Sequence, residues 1–122
     1  MITKEQLHGM QNYEISLVLC DLLGYKVEFI HAAHESEFPT INVFGKTVGE
    51  WFAVEFGRWD CIMPLAVEHK LCLISPHSHT KTWSARQTDG GGLWSVSDFT
   101  YSDTNPLRAI ACCLILVLQG KK

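Results

Sequence analysis

Asn105-Pro106-Leu107-Arg108-Ala109-Ile110-Ala111-Cys112-Cys113-Leu114-Ile115-Leu116-Val117-Leu118 is the stretch that decides how this chain folds. Asn105 is a helix cap, and Pro106 takes the first-turn place where its missing N–H costs nothing. Leu107, Ile110, Ala111, Leu114, Ile115 and Leu118 form one stripe. The other side carries Ala109, Cys112, Cys113, Leu116 and Val117, which are also apolar. A helix apolar nearly all round must be covered on several sides. It is expected to pack on a sheet, and also on another helix or a second subunit. Gly120 ends it, and Lys121 and Lys122 suit the negative end of its dipole. From Ala109 to Leu118 is about ten residues, well short of the roughly 20 that cross a bilayer. The run therefore reads as a buried helix, and no membrane is expected as a partner.

The rest of the chain must supply that cover. It has 122 residues, 47% of them hydrophobic and 19% charged, which suits a single domain over 1–122 with a real core. The formal net charge of −3 disfavours nucleic acid held through its backbone, since that binding needs a basic surface. Met1-Ile2-Thr3-Lys4-Glu5-Gln6 lacks a secretory leader's apolar stretch. Five cysteines without a C-x-x-C suggest neither a disulfide framework nor a zinc knuckle. They read as small hydrophobes in a reducing cytoplasm.

Upstream, Ile15, Val18, Leu19, Leu22 and Leu23 share one helical face, with Asn12 as a cap and Gly24 as the left-handed stop. A shorter helical turn can open at Thr3. Tyr25, Val27 and Phe29 alternate as one buried strand face. His31–Thr40 is a loop. Ile41–Val48 and Glu50–Phe56 form a hairpin or a lid. Asp60 caps a short second helix with Ile62, Leu65, Ala66 and His69 in register, and Pro64 requires it to start near Cys61. Leu71–Ile74 reads as a buried strand. Thr82–Thr88 alternates Trp83, Ala85 and Gln87 against Ser84 and Arg86, and Leu93–Tyr101 is a further strand after the Asp89–Gly92 turn. The fold class is α+β: a mostly antiparallel sheet or meander packed with about three helices, the last strongly apolar.

The chemistry offered by these residues is sparse. His31 with His34, and His77 with His79, sit in loops without H-E-x-x-H or a cysteine partner, so no metal is expected. No G-x-S-x-G or cysteine elbow is present, and no catalytic residue or cofactor is assigned. Gly90–Gly92 reads as a hairpin tip rather than a phosphate loop, because no helix follows it. One set suits a ligand: Trp83 to stack on a base, Arg108 for phosphate, and Asn105 and Arg86 for orienting hydrogen bonds. The plain alternative is that Trp83 and Trp94 are core and Arg108 pairs with a carboxylate.

Three stretches resemble the NinX-like group of small phage proteins. They are Asn12-Tyr13-Glu14-Ile15 with Leu22-Leu23-Gly24, Trp59 with Ile62-Met63-Pro64 and the later Trp83, and Asn105-Pro106-Leu107-Arg108-Ala109. More loosely, size, element order and an arginine early in the last helix are similar to the Thoeris anti-defence proteins of phages. Those are oligomers that sequester cyclic ADP-ribose-type signals without cleaving them. The resemblance implies a phage protein acting in the cytoplasm of a bacterial host. The expectation is a non-enzymatic homo-oligomer that captures a small nucleotide-type ligand. A protein–protein interaction module, with an exposed apolar patch around Ile41–Phe56, is the second expectation. A metal-dependent enzyme is the third.

Overall fold

The C-terminal helix organises the molecule. The structure is a computed structural model that describes residues 2–31, 38–45, 49–76, 81–87 and 100–120, with the backbone alone for Phe29 and His31. In chain order the elements are α1 (Lys4–His8), α2 (Asn12–Leu22), β1 (Tyr25–His31), β2 (Thr40–Gly45) and β3 (Glu50–Val54). They continue with α3 (Trp59–Glu68), β4 (Leu71–Ile74), β5 (Trp83–Gln87), β6 (Thr100–Asp103) and α4 (Pro106–Gly120). Among the described residues the strands form two antiparallel three-stranded sheets, β1-β2-β3 and β4-β5-β6. The class is α+β, with two sheets where one was expected and a short fourth helix, α1.

Asn105 caps α4 as its sequence requires: its Oδ1 accepts from the backbone N–H of Leu107 at 2.9 Å and of Arg108 at 3.4 Å. The helix then runs apolar on every side, and Ala109 through Ile115 are all buried. Cover comes from within the chain. One side of α4 lies on β4, β5 and β6, and the others meet α2 and α3. The all-round apolar pattern therefore gives no reason for a second subunit. Gln119 closes the far end by exchanging two hydrogen bonds with the backbone of Ile2, at 2.9 and 3.1 Å.

Several local expectations are corrected. Thr3 does open a helix, and its side chain accepts from the Gln6 N–H at 3.2 Å. However, α2 is capped at Gln11, and Asn12 is its first helical residue. Gly24 takes φ +77 just past Leu23, the left-handed stop that only glycine adopts without strain. In β1 a bulge between Val27 and Phe29 shifts the register against β2. The inward alternation therefore passes from Tyr25 and Val27 to Ile30, which packs on the core. The hairpin reading holds for β2 and β3, with Ile41, Val43 and Val54 turned inward.

The helix α3 starts at Trp59, ahead of the expected Cys61, so Pro64 lies in its second turn. Proline removes the donor that would reach the carbonyl of Asp60. That residue is exposed, so water can satisfy the carbonyl. Asp60 is not the cap. Its carboxylate takes the Arg58 guanidinium at 3.1 and 3.0 Å in a solvent-exposed pair. The strand Leu71–Ile74 is half-buried throughout rather than buried. The last strand runs on past Tyr101 to Asp103, and 93–99 lie outside the described residues.

Candidate functional site

The four residues expected to share a ligand do not converge. In β5 the register is regular: Trp83 pairs with Asp103, Ala85 with Tyr101, and Arg86 with Cys72 and Thr100. Paired residues share a face and successive residues alternate. Trp83, Ala85 and Tyr101 therefore face α4, and Trp83 packs against the core cluster. Arg86 and Ser84 lie on the opposite face. A base stacked on Trp83 could not meet Arg86 across the sheet.

Arg108 has a complete set of protein partners. Its Nε donates to Asp103 Oδ2 at 3.1 Å. Nη1 donates to Asn12 Oδ1, and Nη2 to the carbonyls of Leu7 at 2.8 Å and Met10 at 2.7 Å. The side chain is only 13% exposed. The planar fork of arginine is what lets one residue reach α2, β6 and the end of α1 at once. Asn12 Oδ1 is occupied here, and the cap of α2 is the preceding residue, Gln11. Asn105 is likewise committed, as the cap of α4. Both residues act as staples among elements of the fold.

A wider polar cluster surrounds this joint. Tyr101 Oη and His8 Nδ1 lie 3.0 Å apart, and their rings stack at 4.7 Å between centroids. Burial raises the Tyr101 hydroxyl above its usual range. Burial likewise pushes the Cys112 thiol up to about 12, although the Arg108 charge pulls the other way. Groups kept protonated at neutral pH serve packing and hydrogen bonding rather than nucleophilic attack. Sequence reasoning missed His8 and Asn12 as partners here, because nothing local marks contacts 93 and 96 residues apart. Asp103 lies only five residues before Arg108, and the strand end and helix start between them bring the two together.

Arg86 is the contrast. It is half-buried, its Nε is buried without a hydrogen-bond partner, and no described residue forms an ion pair with it. Its neighbours on that face include Ser84 and Ser102, whose hydroxyls lie 2.9 Å apart.

A second feature is apolar. Trp59, Met63 and Val67 fall at i, i+4 and i+8 of α3 and are 44%, 37% and 70% exposed. Ile62, Leu65 and Ala66 occupy the inward side of the same helix. Trp51 on β3 is 50% exposed and packs beside Phe44 at 5.2 Å. The Ile41–Phe56 segment is thus apolar outside only in part, since Ile41, Val43, Val54 and Phe56 are buried. The outward α3 stripe was readable beside the inward one, from its four-residue spacing.

Among the described residues no three His, Cys, Asp or Glu side chains are grouped to hold a metal. His34, His77, His79, Gly90–Gly92 and Trp94 lie outside the described residues. No helix among the described residues is long and apolar enough to cross a membrane. No protein-family model, curated protein or solved structure matches the chain.

Proposed function

We propose that this chain is a non-enzymatic binding protein that works by docking an α-helix of a partner protein on the outer face of α3. The observation that carries the reading is the exposed Trp59–Met63–Val67 stripe. Large apolar side chains in a row on a surface mark an interaction site. Residues four apart form a ridge, and the groove of another helix is its natural complement. Tryptophan is among the residues enriched at binding hot spots. The setting we propose is the cytoplasm of a bacterial host, as a phage accessory protein. Sequence resemblance alone supports that setting.

Capture of a nucleotide-type ligand by Trp83, Arg86, Asn105 and Arg108 together has less support. Three of the four are committed inside the fold, and Arg86 faces away from Trp83. A homo-oligomer enters the proposal as one source of the partner helix, in which a second copy would offer its own α3.

The test is a photo-crosslinking residue at position 67, used in the purified protein and in the producing cell. We expect one dominant adduct at a helical segment, lost in Trp59→Ala. Sedimentation of the purified protein tells a second copy from another protein. Absence of any adduct, or one unchanged by Trp59→Ala, would contradict the reading.

A further inference from the structure

We propose that the outward face of β4-β5-β6 holds an oxyanion, the phosphoryl or carboxylate group of a small molecule, on Arg86. This goes beyond the docking surface and is independent of it. The register fixes the membership of that face. Cys72, Ile74, Ser84, Arg86, Thr100 and Ser102 share it, opposite the side packed on α4. None of the six is acidic. Among the described residues of this sheet the one acid, Asp103, lies on the other face and is already bound to Arg108.

Arg86 thus carries a half-buried positive charge without a counter-charge among the described residues. Charges withdrawn from water are ordinarily paired. Water at the half-exposed end of the side chain can serve the terminal nitrogens. It does not serve Nε, which is buried and has no acceptor. With Nε unsatisfied and no counter-charge among the described residues, the half-exposed end of the guanidinium is where an anion would offset the charge. At the half-exposed end the two terminal nitrogens present parallel N–H groups, and two oxygens of a phosphate or carboxylate match that spacing.

The hydroxyls complete the chemistry. Ser84 and Ser102 carry two O–H protons, and their mutual bond uses one. The other is free to donate outward. Ser102 is the diagonal neighbour of Arg86 on this face, about 7–8 Å away between backbones, which a long arginine stem spans. One cation beside hydroxyl donors, with no carboxylate among them, recognises an oxyanion and repels no part of it.

The experiment is NMR on protein with 15N-labelled arginine side chains, titrated at constant ionic strength. The chain has three arginines, so the signals of Arg58, Arg86 and Arg108 separate by substitution. Inorganic phosphate should move the Arg86 Nε–H resonance to saturation and leave that of Arg108 in place. Adenosine monophosphate saturating at lower concentration than phosphate would identify a phosphate ester. Saturation by acetate but not phosphate would identify a carboxylate. Ser84→Ala should weaken the saturating titration about tenfold. Arg86→Lys, with its backbone spectrum showing an intact fold, should abolish it. If Arg86→Lys does not fold, the Ser84→Ala isotherm decides alone. Non-saturating shifts equal to those with chloride, or an unchanged isotherm in Ser84→Ala, would overturn the proposal.

Discussion

Arg108 and Arg86 lie on opposite sides of the same sheet, and the fold treats them in opposite ways. Arg108 stands at the start of α4 with a carboxylate, a side-chain amide and two backbone carbonyls around its guanidinium. Arg86 stands on the outer face of β5, its Nε buried without a partner and no ion pair formed with any described residue. The first gathers four acceptors from elements far apart in the chain. Among the described residues, the second shares its face with hydroxyls, a thiol and an isoleucine. Residue type alone therefore does not tell a binding arginine from a structural one. What separates them is whether the protein already supplies the acceptors.

The largest effect should follow from removing the engaged arginine. Arg108→Met strands a nearly buried Asp103 carboxylate and two carbonyls, and should cost about 3–5 kcal/mol in urea unfolding. Arg108→Lys should recover only part of this, because one ammonium cannot reach all the acceptors that the fork reaches. A cost below about 1 kcal/mol would mean that the joint is not structural, and the comparison would fail.

Thiol chemistry separates the two sides next. Burial pushes Cys20, Cys112 and Cys113 from the usual 9.0 up to about 12. Cys61 and Cys72 are partly exposed. In native protein an aromatic disulfide reagent should therefore label Cys61 and Cys72 at least about tenfold faster than the other three. The same shifts set a pH dependence. The folded state keeps protons that the unfolded state sheds between pH 9 and 12. Stability is fully present below pH 9 and falls as pH rises toward 12. Denaturation midpoints at pH 7 and pH 10.5 check the sign, and an equal or higher midpoint at pH 10.5 would contradict it.

Smaller changes are expected at the outer surfaces. Met63→Ser should change stability by no more than about 0.5 kcal/mol while removing the partner adduct formed from position 67. Arg86→Met, which deletes an unpaired half-buried charge, should leave stability unchanged or raise it by up to about 1 kcal/mol.

Much of the fold was legible because its signals are local. The Asn105-Pro106 start of α4, the left-handed Gly24 and the alternation of β5 each follow from neighbouring residues. The bulge at Glu28 was not legible, since it is set by pairing with β2 rather than by β1 itself. The apolar character of α4 was visible too. What covers it was not, because that depends on how α2, α3 and a sheet close around it. The candidate site fared worse for the same reason. Arg108 was singled out for phosphate, whereas its guanidinium is engaged by Asp103 and by Leu7, Met10 and Asn12 at the other end of the chain. The opposite face for Arg86 was readable from strand period, and its lack of a partner only from the structure.

The most direct test of the account is urea unfolding of the natural chain and Arg86→Met, with and without inorganic phosphate at matched ionic strength. The account predicts that phosphate at about ten times its dissociation constant stabilises the natural chain by about 1.4 kcal/mol and leaves Arg86→Met unaffected. Equal stabilisation of both proteins, or a loss of stability in Arg86→Met as large as that expected for Arg108→Met, would contradict it.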